Sequence, residues 1–192
     1  MVALLASEQD ATEQLNIPKV RTVSTTIPRY VNSLSRNELL TLALVRSDNL
    51  AAQILCDNIE RCVERMNERA LEIGMANTHY NEPTGLDKGN VSTASDLLKL
   101  MIVAASNSAI TSLSRMPSAE ITLNKNSIKV RNTNPLTATL DVILSKTGFT
   151  NPAGGCLVMI VNSPVGQRVL ILLGSRNAKT RIPEMAKLYK EM

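Results

Sequence analysis

Two short triplets hold the side chains of this sequence best suited to chemistry: Ser47-Asp48-Asn49 and Lys146-Thr147-Gly148. The first offers a hydroxyl, a carboxylate and a carboxamide in succession. The second offers an ammonium, a hydroxyl and a residue with no side chain, beside which another molecule can come close to the backbone. Taken singly, each triplet reads as a helix cap or a turn. Order and surroundings make the pair more specific. Ser47 follows a periodic apolar run at 39–45 and precedes a helix-like stretch at 50–56, which places the first triplet in a short connection between two helices. Lys146 ends a strand-like run at 140–145, so the second lies on or beside a sheet edge. The lone His79 has no second histidine or neighbouring cysteine with which to hold a metal, and reads as a loop residue. Cys56, Cys62 and Cys156 are odd in number and lack metal-ligand spacing, so reduced, mostly buried thiols are expected.

The elements that must position the triplets follow from local signals. Residues 1–13 suit a helix, and the polar, β-branched stretch 20–27 reads as loop. Ser35 with Glu38 has the pattern of a capping box that opens the helix ending near Arg46. A further helix is expected over 59–73, with Val63, Met66, Ala70 and Ile73 on one face and Gly74 as its stop. Thr93 and Asp96 open another over 95–105. Runs at 121–123 and 127–130 flank Asn124-Lys125-Asn126 and read as a hairpin. Strands are expected at 141–147, 156–162 and 168–174, then a helix over 182–189. Helices, then strands, then a helix indicate an α+β domain with an antiparallel sheet. It would be a single domain over 1–192, mainly helical to 115 and mainly sheet with a C-terminal helix after it.

Composition bounds the function. The 192 residues are 44% hydrophobic and 20% charged, ordinary for a globular protein. No apolar run approaches the ~20 residues needed to span a bilayer. The opening residues lack the basic start, apolar centre and small-residue cleavage site of a signal peptide. The net charge of +4 is mild and scattered, and with one Phe, three Tyr and no Trp there is no stacking platform for bases, so nucleic acid is not an expected partner. No cofactor is expected.

The two triplets, their order and long blocks around them resemble the low-molecular-mass penicillin-binding proteins, the D-alanyl-D-alanine carboxypeptidases and especially their endopeptidase branch. The similarity runs through 37–52, 74–86, 90–97, the segment Arg131-Asn132-Thr133-Asn134, and 145–159. It implies a serine β-lactamase-like fold. It also implies a third motif, Ser-x-x-Lys, carrying the nucleophile and a base. None of the nine lysines has serine three residues before it. By the same resemblance, residues 1–5 look like the helix segment that follows that motif, so the nucleophile and two strands would lie before Met1. In the intact family the serine attacks the D-Ala-D-Ala carbonyl and forms an acyl-enzyme, and the lysine, its pKa lowered, takes the proton. The resemblance then assigns auxiliary roles here. Ser47 would relay the proton to the leaving nitrogen, and Asn49 would bind the lysine and the substrate's amide carbonyl. Lys146 would keep the site electropositive and support Ser47. Thr147 would bind the terminal carboxylate, and Gly148 would let substrate approach the strand.

The favoured expectation is a degenerate peptidase: a non-catalytic module that binds a peptidoglycan stem peptide or serves as a structural unit. Against it stand an active carboxypeptidase or endopeptidase whose nucleophile comes from a missing N-terminal segment or another chain, and an assembly scaffold with an unused groove. In all three, the strand at 168–174 lacks its family neighbours and should be covered by a protein partner, a second copy or a remodelled N-terminus. With no export signal visible, synthesis in the cytoplasm is expected, and delivery to the wall as a phage tail or baseplate subunit would reconcile that with a peptidoglycan substrate.

Overall fold

The computed structural model describes residues 1–123 and 126–191. The chain is α+β, with a helical region followed by an antiparallel three-stranded sheet and a final helix. The first helix, α1 (Val2–Ala6), is shorter than the expected 1–13. Asp10 Oδ1 accepts both the backbone N–H (2.9 Å) and the hydroxyl (2.7 Å) of Thr12, a local bond that competes with helical continuation. The chain then forms β1 (Gln14–Asn16), which pairs antiparallel with β2 (Ser33–Ser35) across the irregular stretch expected there. Arg36 is almost fully buried beneath this pair. Its guanidinium donates to Asp10 O and ion-pairs with the half-exposed Glu13.

The capping box forms as expected. Glu38 N–H donates to Ser35 Oγ (3.3 Å), and Ser35 N–H donates to the Glu38 carboxylate (2.7 Å), opening α2 (Arg36–Thr41). Its Leu39 and Leu40 are buried, while Asn37 is exposed. The expected single helix to Arg46 is not uniform: Leu42–Arg46 winds as a π-helical turn that ends at Ser47. Asp48 caps α3 (Asn49–Asp57), accepting from Ala51 N–H at 3.1 Å. The chain reverses through Arg61, at φ 50°, into α4 (Cys62–Glu72), which Gly74 stops at φ 80°. After a long loop, Thr93 caps α5 (Ala94–Ala105), and α6 (Ser108–Ser114), not anticipated from the sequence, comes directly after it.

The thiol expectation is overturned: Cys56 and Cys62 form a disulfide joining the end of α3 to the start of α4, and Cys156 alone is free. The two cysteines flank a break between helices rather than riding one helix, and this brings their Cα atoms to 5.4 Å.

The hairpin strands β3 (Ser118–Leu123) and β4 (Asn126–Arg131) pair antiparallel, while the expected turn residues Asn124 and Lys125 lie outside the described residues. A 3₁₀ turn (Pro135–Ala138) leads to β5 (Val142–Thr150), β6 (Gly154–Ser163) and β7 (Gly166–Ser175), in the order β5-β6-β7. Alternation along the strands divides the two faces. Leu144 and Ile160 join the helical core, whereas Leu157, Met159 and Val161 pack with Met185 of α7 (Arg181–Lys190). Gly154 and Gly155 bring the start of β6 close to the end of β7. A Cβ on Gly155 would lie 2.4 Å from Asn177 O. Among the described residues, no single helix is long and apolar enough to cross a membrane, and no cluster of three His, Cys, Asp or Glu side chains could hold a metal.

Candidate active site

The fold brings the two triplets into contact. The π-helical turn delivers Ser47 in a left-handed conformation (φ 57°, ψ 41°), rare for a residue with a side chain. The Ser47 and Asp48 N–H groups both donate to Leu42 O, which fixes the kink. From β5, the Lys146 Nζ reaches Ser47 Oγ at 2.6 Å and also donates to Thr147 O at 2.8 Å. Ser47, Asn49 and Lys146 form the polar side of a cavity of about 230 Å³ whose floor includes Leu44, Met101 and Val158. Part of Lys146 remains open to solvent, but its amine lies among protein atoms. Burial first, and then the nearby positive charge of Arg181, lower its pKa from 10.5 to about 8.

The other predicted positions are more engaged than the sequence suggested. Asn49 is beside the cavity, but its amide donates to Ser24 Oγ at 2.9 Å. Thr147 points to the opposite side of the strand from Lys146; it is buried, and its hydroxyl meets that of Thr133 at 2.7 Å. Gly148 O accepts from Arg181 Nη1 at 2.6 Å. A Cβ on Gly148 would meet only Cys156 Cβ, at an ordinary 3.6 Å, so the protein itself does not require glycine there.

Four supporting residues were given no role from the sequence. Asp48, the middle of its triplet, is a buried clamp. Besides capping α3, its Oδ2 accepts from Thr26 N–H (2.6 Å), Thr26 Oγ1 (2.9 Å) and Thr25 Oγ1 (3.1 Å), which holds the 24–26 segment against the triplet. Thr133 bridges the triplets, its N–H donating to Val45 O in the π-helical turn (3.0 Å) and its hydroxyl meeting Thr147. Asn132 holds that segment in place by donating to Ser114 O and Met116 O at 2.9 and 2.8 Å. Glu82 organises the loop that brings Pro83 and Thr84 to the cavity. Its carboxylate accepts the backbone N–H groups of Thr84, Gly85 and Leu86 at 2.6–2.9 Å. Burial pushes the Glu82 pKa up, but hydrogen bonds from Thr84, Asp87 and Gly85 outweigh it and leave the group below its usual value. For Thr133, the signal available in the sequence was its place in the block 131–134; for Asp48 and Glu82, it was their acidic side chains beside hydroxyl and amide donors.

Residues 6–176 match the family model for D-alanyl-D-alanine carboxypeptidase. The D-alanyl-D-alanine endopeptidases of Pseudomonas aeruginosa and Escherichia coli are each 40% identical to the chain over 157 residues, covering 76% of it and 51% of the relative. The chain therefore spans about half the length of these curated relatives. Among solved structures, penicillin-binding protein D2 of Listeria monocytogenes in its ampicillin-bound form superposes with a TM-score of 0.86 at 26% identity, covering 98% of this chain and 82% of that one. The family model spans most of the sequence, and the superposition extends over nearly all of the fold that joins the two triplets: the chain belongs to the D-alanyl-D-alanine carboxypeptidase family.

Proposed function

We propose that this chain is a peptidoglycan-peptide recognition module, in which Ser47, Asn49, Lys146, Thr147 and Gly148 act as binding and positioning groups rather than as a complete hydrolytic centre. The observation that carries the reading is the Lys146–Ser47 contact at 2.6 Å beside the cavity. A buried ammonium next to an open edge strand favours a peptide that ends in a carboxylate. Gly148 leaves room for its backbone, since no contact within the protein needs the missing side chain. The engaged Thr147 hydroxyl limits the role that the resemblance assigns to it: it serves the carboxylate either by exchanging Thr133 for the ligand or by using its second lone pair.

Titrating the chain with a stem peptide ending in D-Ala-D-Ala tests this by calorimetry. Saturable binding is expected, weakened about 10- to 100-fold in Lys146→Met, the range for losing a charged hydrogen bond. Equal affinity for the same peptide ending in L-Ala-L-Ala, or no effect of Lys146→Met, would remove the reading.

A second reading is supported by the cavity beside the first turn of α1. There the site is completed by a nucleophile-bearing segment, either N-terminal to these residues or on another polypeptide. Adding a peptide that contains Ser-x-x-Lys and its flanking strands would then create penicillin binding that neither part has alone.

A further inference from the structure

We propose that Ser47 and Lys146 form an acylation pair in their own right, in which Ser47 Oγ accepts a small acyl group from an activated ester or a strained cyclic amide. This goes beyond peptide recognition and does not depend on it.

The geometry is that of a nucleophile beside its base. The Ser47 hydroxyl lies 2.6 Å from Lys146 Nζ, within reach for direct proton transfer. The serine occupies a left-handed kink between a π-helical turn and α3, held there by Leu42 O, and it borders a cavity large enough for a small acyl group. A serine held in a sparsely populated backbone conformation at a cavity wall is backbone strain of the kind that clusters at reactive sites.

The surroundings of the amine favour the neutral, basic form. Among the described residues, Lys146 forms no ion pair with a carboxylate. The nearest acid in sequence to Ser47, Asp48, spends its oxygens on Thr25, Thr26 and Ala51. The charged group facing the amine is positive, Arg181 from α7, while the α-amine of Met1 from α1, lowered to about 6 by burial and by Lys146, is neutral where the lysine titrates. Burial and Arg181 together bring the lysine to about 8. Thr147 O orients it through a second hydrogen bond.

The step balances within the pair and the donor. Lys146 Nζ takes the Ser47 proton as Oγ bonds to the acyl carbon. The bond from that carbon to the leaving oxygen or nitrogen breaks, and the leaving atom takes the proton from the Lys146 ammonium. The product is an ester on Ser47.

Incubating chain 1–192 with p-nitrophenyl acetate, and separately with benzylpenicillin, then measuring intact mass and mapping peptides, tests the proposal. One acyl group on Ser47 is expected, forming faster as pH rises through about 8. Ser47→Gly, which suits the left-handed backbone, and Lys146→Met should each slow labelling at least ~100-fold while keeping the native circular dichroism spectrum. Should Ser47→Gly fail to fold, Ser47→Cys should move the adduct to the new thiol. No adduct, an adduct on the lysine amine, or labelling undiminished in folded Ser47→Gly would overturn the proposal. The peptide titration run in parallel separates the readings: binding without labelling leaves recognition standing alone, and labelling without binding leaves the acylation pair alone.

Discussion

Lys146 joins the two triplets through one nitrogen, and its protonation sets what that nitrogen can do. Its pKa of about 8 lies below the ordinary lysine value, so the ammonium is complete near pH 6 and largely lost by pH 10. Affinity for a peptide carboxylate should therefore fall as pH rises through about 8, while Lys146→Arg, charged throughout, should show a flat profile if it folds. Calorimetry across that range checks both. Thr133 gives a second test. Thr133→Val removes the partner of the buried Thr147 hydroxyl and should destabilise the fold by about 1–3 kcal/mol in urea titration. Ser47, Asn49, Lys146, Thr147 and Gly148 could be named from the sequence because each triplet is contiguous and carries its chemistry in its residue types, and the structure brings two of them, Lys146 and Ser47, into contact. The Thr133 bridge was not, because it is a hydrogen bond between side chains on separate elements, and nothing local marks a threonine as the one that reaches across. Asn49 shows the same limit: its type was informative, but its engagement with Ser24 depends on where a distant loop settles.

At the scale of elements, what was local and self-contained could be read. The Ser35–Glu38 box, the Thr93 cap, the Gly74 stop and the three strands of the sheet all rest on side chains acting within a few residues of themselves. The disulfide could not be read, because the interval between the cysteines resembles helix and the break at Arg61 has no glycine to announce it. Closing so short a loop should contribute about 2 kcal/mol by the chain-entropy estimate. Urea titration with and without reductant, compared with Cys56→Ser/Cys62→Ser, should show that loss. No change on reduction would mean the link is absent in solution. α6 was missed because its seven residues carry only a short apolar pattern, and its position is set by Asn107 as cap and by packing against the helical core.

At the scale of the molecule, among the described residues the sheet ends on both sides in strands with a free edge, β5 beside the cavity and β7 away from it. Side chains of β7 from Val169 to Leu172 are only half-buried, so it presents apolar surface as well as unpaired backbone. We expect chain 1–192 to associate through β7 at micromolar concentration. Light scattering should show a dimer or larger species that Ile171→Lys returns to monomer, and a wild-type monomer would dispose of the expectation. The widened turn before Ser47 also has a consequence for how this architecture can vary. A π-helical turn holds one residue more than the α-helical turn it replaces. Removing any one residue between Leu42 and Arg46 would let the segment relax to α-winding with Ser47 on nearly the same side of α2, because four α-helical steps of about 100° turn roughly as far as the five wider steps they replace. The extra residue is therefore a slack point: a chain one residue shorter there would keep both triplets and still turn Ser47 toward Lys146, whereas the same deletion within the α-helical winding of α2 would swing it by about 100° and lose the site.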